Sequence, residues 1–247
     1  MMNIVITAGG TSEYIDTVRK ITNSGTGKLG AMIANALLKL DNVGIIYYIC
    51  TPKAIKPDVE MLKLNNINVE IIEVINTNDV KNAVEKTLKE NVIDWFIHSM
   101  AISDYCIDYV TSVDNIINDL NDNQIDLEKY FDRPKHTINN KTKISSNQKD
   151  LIIKLKQAPK IIGLIKDISP KTNLIGFKLL DNVTNEYLIE VAQNLAKKNN
   201  CNYVIANDMK HIKNGEHKAF VVTKEDVIGE EVIGKENIVN KIIELIK

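Results

Sequence analysis

Two glycine-rich turns stand close together near the start of the chain. Thr7 to Gly30 reads TAGGTSEYIDTVRKITNSGTGKLG, with Gly9-Gly10-Thr11 at one end and Thr26-Gly27-Lys28 at the other. Such turns present unpaired backbone N–H groups to an anion, and a following helix adds the positive end of its dipole. Arg19 and Lys28 contribute full charges, so a pyrophosphate or triphosphate is the ligand class the stretch fits. Asn23 lies between the two turns. Its neutral amide carries both donors and an acceptor, which suits a developing or mixed-anhydride oxygen better than a fixed anion. Turn geometry alone explains any one of these glycines equally well; the combination with Arg19 and Asn23 is what points to chemistry.

The letters of Gly25 to Gly30 also satisfy G-x-G-x-x-G. A dinucleotide site needs those glycines directly after the first strand and an acid at the end of the second. Here the first apolar run is Ile4-Val5-Ile6, the glycines come much later, and the second run closes on Ile49-Cys50-Thr51. Gly27-Lys28-Leu29 is not the Gly-Lys-[Ser/Thr] of a P-loop, and no tyrosine has a lysine four residues on. A nicotinamide oxidoreductase is therefore disfavoured. The histidines form no triad-like pattern, and His98, at a strand end, reads more readily as a packing or hydrogen-bonding residue than as a catalytic one.

The elements that must position these residues follow from apolar periodicity. Strands are expected at Ile4–Ile6, Gly44–Cys50, Val69–Val74, Ile93–Ser99, Leu174–Phe177 and Tyr203–Ala206, with a terminal hairpin of Ala219–Thr223 and Val227–Ile233. Helices are expected after Gly30, where Ile33, Leu37 and Leu40 share a face, and at Asp79–Glu90, capped by Asn78 or Asp79. Others are expected at Gln148–Gln157, from Lys160 to before Pro170, at Asn185–Lys198 and at Glu236–Ile246. Alternating strands and helices with short connections predict an α/β fold on a mostly parallel sheet. From about Ile107 to Lys141 the chain is polar and aperiodic, which reads either as a flap or as a small helical insertion around Val113–Tyr130. With no repeat and no linker-like stretch, one domain spanning residues 1–247 is expected.

Bulk properties narrow the class. At 247 residues the chain buries enough surface to fold without disulfides or a structural metal. A net charge of −1 removes the broad basic field of a nucleic-acid binder. Cys50, Cys106 and Cys201 are far apart and form no C-x-x-C, which predicts reduced thiols. The chain enters its first strand at once and has no run long enough to span a membrane, so a cytoplasmic protein is expected.

Gly9-Gly10-Thr11, Glu13, Ile15-Asp16, Val18-Arg19, Ile21, Asn23, Thr26-Gly27-Lys28 and Gly30 together resemble the opening of the phosphopantothenate–cysteine ligases. The resemblance continues through Met100-Ala101-Ile102-Ser103-Asp104-Tyr105, Lys143-Ile144, Gly176-Phe177 and Ala206-Asn207-Asp208, in order, over nearly the whole chain. It implies a Rossmann-like three-layer fold with helices on both faces of the sheet and a C-terminal antiparallel hairpin. It also implies a ligase that joins 4′-phosphopantothenate and L-cysteine through an acyl-nucleotidyl intermediate in coenzyme A biosynthesis, CTP being favoured over ATP. Asn23, Arg19 and Lys143 then carry catalysis and substrate binding, Lys143 on a mobile flap. Gly9, Gly10, Thr11, Thr26, Gly27 and Lys28 would hold phosphates. Ala101 and Phe177 would frame the base through backbone groups, and Asp104 would take the ribose or help with metal. Asn207 and Asp208 would line the nucleotide crevice. Mg²⁺ is expected with the triphosphate, bridged by phosphate oxygens, with no residue assigned as its ligand and no flavin. A homodimer is implied, with a separate phosphopantothenoylcysteine decarboxylase as pathway neighbour; neither nucleic acid nor membrane is expected as a partner.

The chain departs from the pattern in three places. Gly25 stands where the family has Ser, Lys178-Leu179-Leu180 replaces small residues and an acid, and Ser145-Ser146 follows Lys143-Ile144 in place of lysines, as in stand-alone members. Gly25 and the run after Phe177 keep open the alternative of a nucleotide-binding regulatory module that has the fold without the catalysis.

Overall fold

Ile4, Val5 and Ile6 have no exposed surface, because the strand they form lies in the middle of the sheet and is covered on both faces. The computed structural model describes residues 1–58, 68–120, 126–225 and 229–246. Its strands are β1 (Met2–Ala8), β2 (Ser12–Tyr14), β3 (Lys20–Thr22), β4 (Val43–Cys50), β5 (Asn68–Glu73) and β6 (Trp95–His98). They continue with β7 (Tyr105–Ser112), β8 (Leu151–Gln157), β9 (Asn173–Leu180), β10 (Tyr203–Asp208), β11 (Lys218–Val222) and β12 (Glu230–Ile233). Helices are α1 (Lys28–Leu37), α2 (Thr77–Glu90), α3 (Val113–Leu120), α4 (Leu127–Asp132), α5 (Ile161–Ile168), α6 (Asn185–Asn199), α7 (Met209–Lys213) and α8 (Lys235–Ile246).

The main sheet runs β12-β11-β10-β9-β6-β1-β4-β5. Its pairs are parallel from β10 to β5 and antiparallel where the β11–β12 hairpin is added. Side chains alternate across β1 with period two. Ile4, Ile6 and Ala8 enter one core with Ile33 and Leu37 of α1 and Ile238 and Ile242 of α8. Val5 enters the other with Val80 and Val84 of α2, Ile161 and Ile165 of α5, and Leu188 and Ala192 of α6. This is the expected three-layer α/β fold. The chain turns outward from β1 through β4 to β5 on one side and from β6 through β9 to β10 on the other, so β1 and β6 flank the topological switch point where α/β sheets hold ligands.

Helix ends follow side-chain chemistry. Asn76 caps α2: its side chain accepts the Asp79 N–H at 2.9 Å, and Asp79 accepts the Asn76 N–H at 3.2 Å. This capping box starts the helix two residues before the expected Asp79, because Asn76, not Asn78, has its acid three residues on.

One expectation needs correction. Residues 148–157 are not helical: Leu151–Gln157 is a strand, paired antiparallel with Tyr105–Ser112 in a separate two-stranded ribbon. A helix needs an apolar stripe at intervals of three and four, and LIIKLKQ instead carries stiff β-branched residues beside a partner strand. The register shifts between Ile107 and Tyr109, and Asp108 there accepts Lys154 at 3.2 Å and Lys156 at 3.0 Å.

Of the two readings of Ile107–Lys141, the helical insertion is the one that holds: the segment opens on β7 and continues into α3 and α4, with residues 121–125 outside the described residues. Its polar pattern left the choice open because the buried residue of α3 is an acid, Asp119. Its carboxylate accepts the Tyr130 hydroxyl at 3.0 Å, the His136 N–H at 3.3 Å and the His136 ring nitrogen. Burial alone would raise the Asp119 pKa, but His136 and Tyr130 outweigh it and hold the group below the ordinary carboxylate range. Asp119→Ala leaves those donors without an acceptor, at a cost of about 1–3 kcal/mol. Amide hydrogen exchange across residues 127–138 is expected to accelerate by roughly tenfold or more, with exchange in β1, β4 and β6 unchanged.

Candidate functional site

Past Ala8 the first strand does not end its pairing. The Ala101 N–H donates to the Gly9 carbonyl at 2.9 Å and the Thr11 N–H donates to the Ala101 carbonyl at 3.0 Å, which extends the β1–β6 ladder to Gly10 and Ala101. On the other side, the Asn23 N–H donates to the Thr11 carbonyl at 2.9 Å. Residues 12–22 are an excursion: β2 and β3 pair antiparallel, Ser12 opposite Thr22, and return the chain to the end of β1. The glycines that lie too far along the sequence for a strand-to-helix turn are thereby brought against that strand in space.

The contact is backbone on backbone. A Cβ on Gly10 would lie 2.0 Å from the Asn23 carbonyl oxygen, and one on Gly25 would lie 2.5 Å from the Gly9 carbonyl oxygen. Gly9 has φ 95° and Gly27, the N-cap of α1, has φ 72°, both in the left-handed region that glycine tolerates. A Cβ on Gly30 would lie 2.8 Å from the Ala8 Cβ, so its absence lets α1 lie close to the sheet. The absence of a serine hydroxyl at position 25 is thus matched by the absence of room for it.

Three cavities meet at residues 23–26. The first, about 240 Å³, is bounded by Gly9, residues 24–30, Ser99, Ala101, Asn207, His217 and Lys235. The second, about 290 Å³, lies between the β2–β3 hairpin and the ribbon, with Glu13, Asn23, Ser103, Asp104, Tyr105 and Leu155 on its walls. The third, about 420 Å³, takes in Gly10, Lys20, Asn23, Thr26, Thr51 and Lys53. Asn23 lines the second and third, and residues 24–26 divide the first from the third. The Asn23 side-chain amide makes no hydrogen bond among the described residues, so its donors and acceptor are unengaged at the wall of these cavities.

Other expected site residues are placed differently. Gly9, Gly27, Lys28, Ala101 and Asn207 converge on the first cavity, with Thr26 at its edge. Ala101 has its N–H and C=O engaged by Gly9 and Thr11. Thr11 is fully buried, and its hydroxyl accepts the Ser103 N–H at 2.9 Å, which makes it a positioning residue. Asp104 is exposed on the wall of the second cavity and pairs with Lys160. Phe177 packs against the core cluster of Ile4 and Ile6, and β9 runs on through Lys178-Leu179-Leu180 beside Ala206–Asp208, so that departure is absorbed as strand. Asp208 is buried and accepts the N–H groups of Asn182, Val183 and Lys210 at 2.9, 2.9 and 2.8 Å. Burial raises its pKa, but these donors outweigh burial and hold it below the usual range; its role is to fasten the turns after β9 and β10.

Arg19 and Lys143 line none of these three cavities. Asp16, buried, accepts the Arg19 guanidinium at 2.7 Å and the Ile144 N–H at 3.1 Å, and Arg19 Nη1 donates to the Ile144 carbonyl at 3.3 Å. Burial works to raise the Asp16 pKa; the N–H groups of Val18, Arg19 and Ile144 and the Arg19 charge overcome it and keep the carboxylate ionised. Lys143 is exposed and next in sequence to the clamped Ile144.

His98 is a packing residue. Thr7 Oγ1 accepts the Met100 N–H at 3.2 Å and is hydrogen-bonded to His98 Nδ1 at 3.0 Å. Burial pushes the His98 pKa down to about 4. His217, Lys235, Lys20 and Lys53 were missed in the sequence, since no spacing ties them to the glycine turns.

Two outcomes follow. Gly25→Ser forces its Cβ onto the Gly9 carbonyl and is expected to cost about 1–3 kcal/mol in urea unfolding. Because the folded pKa of His98 lies below the unfolded value, its contribution is complete above pH ~6.5 and is lost as pH falls toward 4. The acid limb of a Tm–pH profile should flatten in His98→Gln.

The chain matches, over residues 1–132 and 131–247, the family described as the DNA/pantothenate metabolism flavoprotein C-terminal domain. It is 29% identical over 223 residues to the coenzyme A biosynthesis bifunctional protein CoaBC of Thermococcus kodakarensis, covering 90% of this chain and 45% of that protein. The CoaBC of Methanocaldococcus jannaschii is 28% identical over 247 residues, 99% of this chain and 50% of that one. The chain spans about half the length of the curated relatives it matches. Among solved structures, the DNA/pantothenate metabolism flavoprotein from Streptococcus pneumoniae is similar with a TM-score of 0.82 and 34% identity over 100% of this chain and 98% of that one. A Cab2 mutant in complex with phosphopantothenate-cysteine has a TM-score of 0.66 at 16% identity over 99% and 86%, a likeness of fold alone. With both halves matched and the Streptococcus chain alike from end to end, this chain belongs to the DNA/pantothenate metabolism flavoprotein C-terminal domain family.

Proposed function

We propose that the chain is a phosphopantothenate–cysteine ligase. The observation that carries the reading is Asn23, whose unengaged amide stands where the glycine-rich turn of the first cavity meets the cleft of Asp104. In this reading the triphosphate lies in the first cavity against Gly9, Thr26, Gly27 and Lys28, and 4′-phosphopantothenate enters by the second. A carboxylate oxygen attacks the α-phosphorus, the bond to the β-phosphate breaks, and pyrophosphate leaves. The cysteine amine then attacks the acyl carbon: the C–N bond forms, the bond to the nucleotidyl oxygen breaks, and the amine gives up its proton as nucleoside monophosphate departs.

Such steps need charge neutralisation and alignment more than a strong base. Asn23 donates to the carboxyl oxygen as its charge shifts, and Lys28 with the N–H groups at the start of α1 faces the phosphates. Arg19 and Asp16 clamp Ile144, which holds Lys143 ready for the acid substrate. No residue lining the first cavity is acidic among those described, so Mg²⁺ comes in as part of the nucleotide substrate, on phosphate oxygens. CTP is the favoured nucleotide, on the family resemblance. Ile21 of the hairpin and Tyr105 and Leu155 of the ribbon are exposed apolar side chains on the wall of the second cavity, which supports a homodimer with the partner covering this flank. A separate decarboxylase would take the product. No helix among the described residues is long and apolar enough to cross a membrane, in keeping with a cytoplasmic reaction.

The test is a panel of CTP, ATP, GTP and UTP. With 4′-phosphopantothenate present, one of them should yield monophosphate and pyrophosphate, and amide once cysteine is added; no monophosphate from any of the four overturns the reading. Asn23→Asp places a second carboxylate beside the substrate's. It is expected to lower turnover by on the order of 10²-fold or more, with nucleotide affinity within about threefold of the parent by calorimetry.

A further inference from the structure

One wall of the first cavity belongs to no element that the glycine turns predict. His217 lies just before β11, Lys235 opens α8, and both face the cavity together with Lys28, which opens α1. Three cationic or cation-capable side chains from distant parts of the chain converge there. Among the described residues that line the cavity none is acidic, and none of these three side chains makes a hydrogen bond or ion pair.

Their neighbours behave otherwise. Lys218, next to His217, pairs with Glu231 at 2.6 Å, and Lys241, on the same helix as Lys235, pairs with Glu230 at 3.0 Å and Glu244 at 3.2 Å. The chain thus supplies carboxylates to the lysines around this wall and withholds them from the wall itself. His217 is also held at φ 49°, a left-handed conformation that costs a non-glycine residue free energy. It is pinned by its own N–H, which donates to the His211 carbonyl at 3.4 Å, and by its carbonyl, which accepts the Gly234 N–H at 3.2 Å. Burial first, and then the nearby charges of Lys235 and Lys28, depress the pKa of the imidazole.

We propose that His217, Lys235 and Lys28 form the subsite for the terminal phosphates of the triphosphate, the pair that leaves as pyrophosphate. This rests on the nucleotide reading of the first cavity and assigns to the C-terminal hairpin and last helix a share in binding and expelling the leaving group. Negative charge grows on the leaving pyrophosphate as its bond to the α-phosphorus breaks, and cations fixed there favour that step over the ground state.

The test uses inorganic tripolyphosphate, CTP and CMP with the intact chain and two variants, Lys235→Met and His217→Gly. Glycine suits the left-handed backbone at position 217, so that variant should keep its Tm. Affinity for tripolyphosphate and CTP is expected to fall on the order of tenfold in each, the size of one charge-assisted hydrogen bond. CMP affinity should stay within about twofold, since CMP lacks the terminal phosphates. Parent-like tripolyphosphate binding in both variants, an equal loss for CMP, or no tripolyphosphate binding by the parent overturns the subsite. Should tripolyphosphate binding depend on both residues while no nucleotide yields monophosphate, the ligase reading fails and the polyphosphate site stands.

Discussion

The site depends on one close approach, that of the backbone after β1 to the backbone of residues 23–25. Gly9 and Thr11 are hydrogen-bonded to Ala101 on one flank, and on the other a Cβ on Gly10 or Gly25 would run into the backbone of Asn23 or Gly9. Neither flank leaves room for a side chain. Because peptide groups stack directly on peptide groups, Asn23 stands at a point fixed by the central strand, the most deeply buried part of the fold. The start of α1 is fixed by the same contact through Gly27 and Gly30. An amide that is to meet a shifting charge must be held to a fraction of an ångström, and rigid elements do this better than loops.

The periphery of the site is fastened by buried carboxylates. Asp16 joins the hairpin turn to Ile144, Asp119 joins α3 to Tyr130 and His136, and Asp208 joins the turns that follow β9 and β10. In each, burial alone would favour the neutral acid, and several N–H or charged donors reverse that preference. Such anchors are directional and short in range. They order segments too polar to be held by a hydrophobic face, and the segment beside Lys143 is one of them.

Charge is distributed to match. Lysines along the ribbon and the C-terminal helix are neutralised by acids close by, which leaves the overall charge near zero. The first cavity departs from that rule, and the glycine turn at the start of α1 also lines it. A locally uncompensated cationic wall in a nearly neutral protein attracts a small polyanion without attracting nucleic acid.

Strand periodicity and glycine chemistry alone determined the central sheet, its parallel order and the stretch that holds Asn23. Apolar runs such as Ile4–Ile6 and Leu174–Phe177 can satisfy themselves only inside such a sheet, and two glycine turns around Arg19 and Asn23 have few other uses. Chain distance misled where contact is what counts: the β2–β3 hairpin returns Gly25–Gly30 to the strand they seemed too far from. The ribbon strand Leu151–Gln157 looks helical in isolation because its partner, Tyr105–Ser112, lies far off in the sequence, and the local pattern leaves α3 undecided between flap and helix because its anchor is Asp119. His217 and Lys235 carry no local signal, and only the packing of the C-terminal hairpin and α8 beside α1 brings them to Lys28. Local pattern reports what a segment must bury. Which distant polar groups meet is decided by how the buried faces stack, and that is a property of the assembled fold.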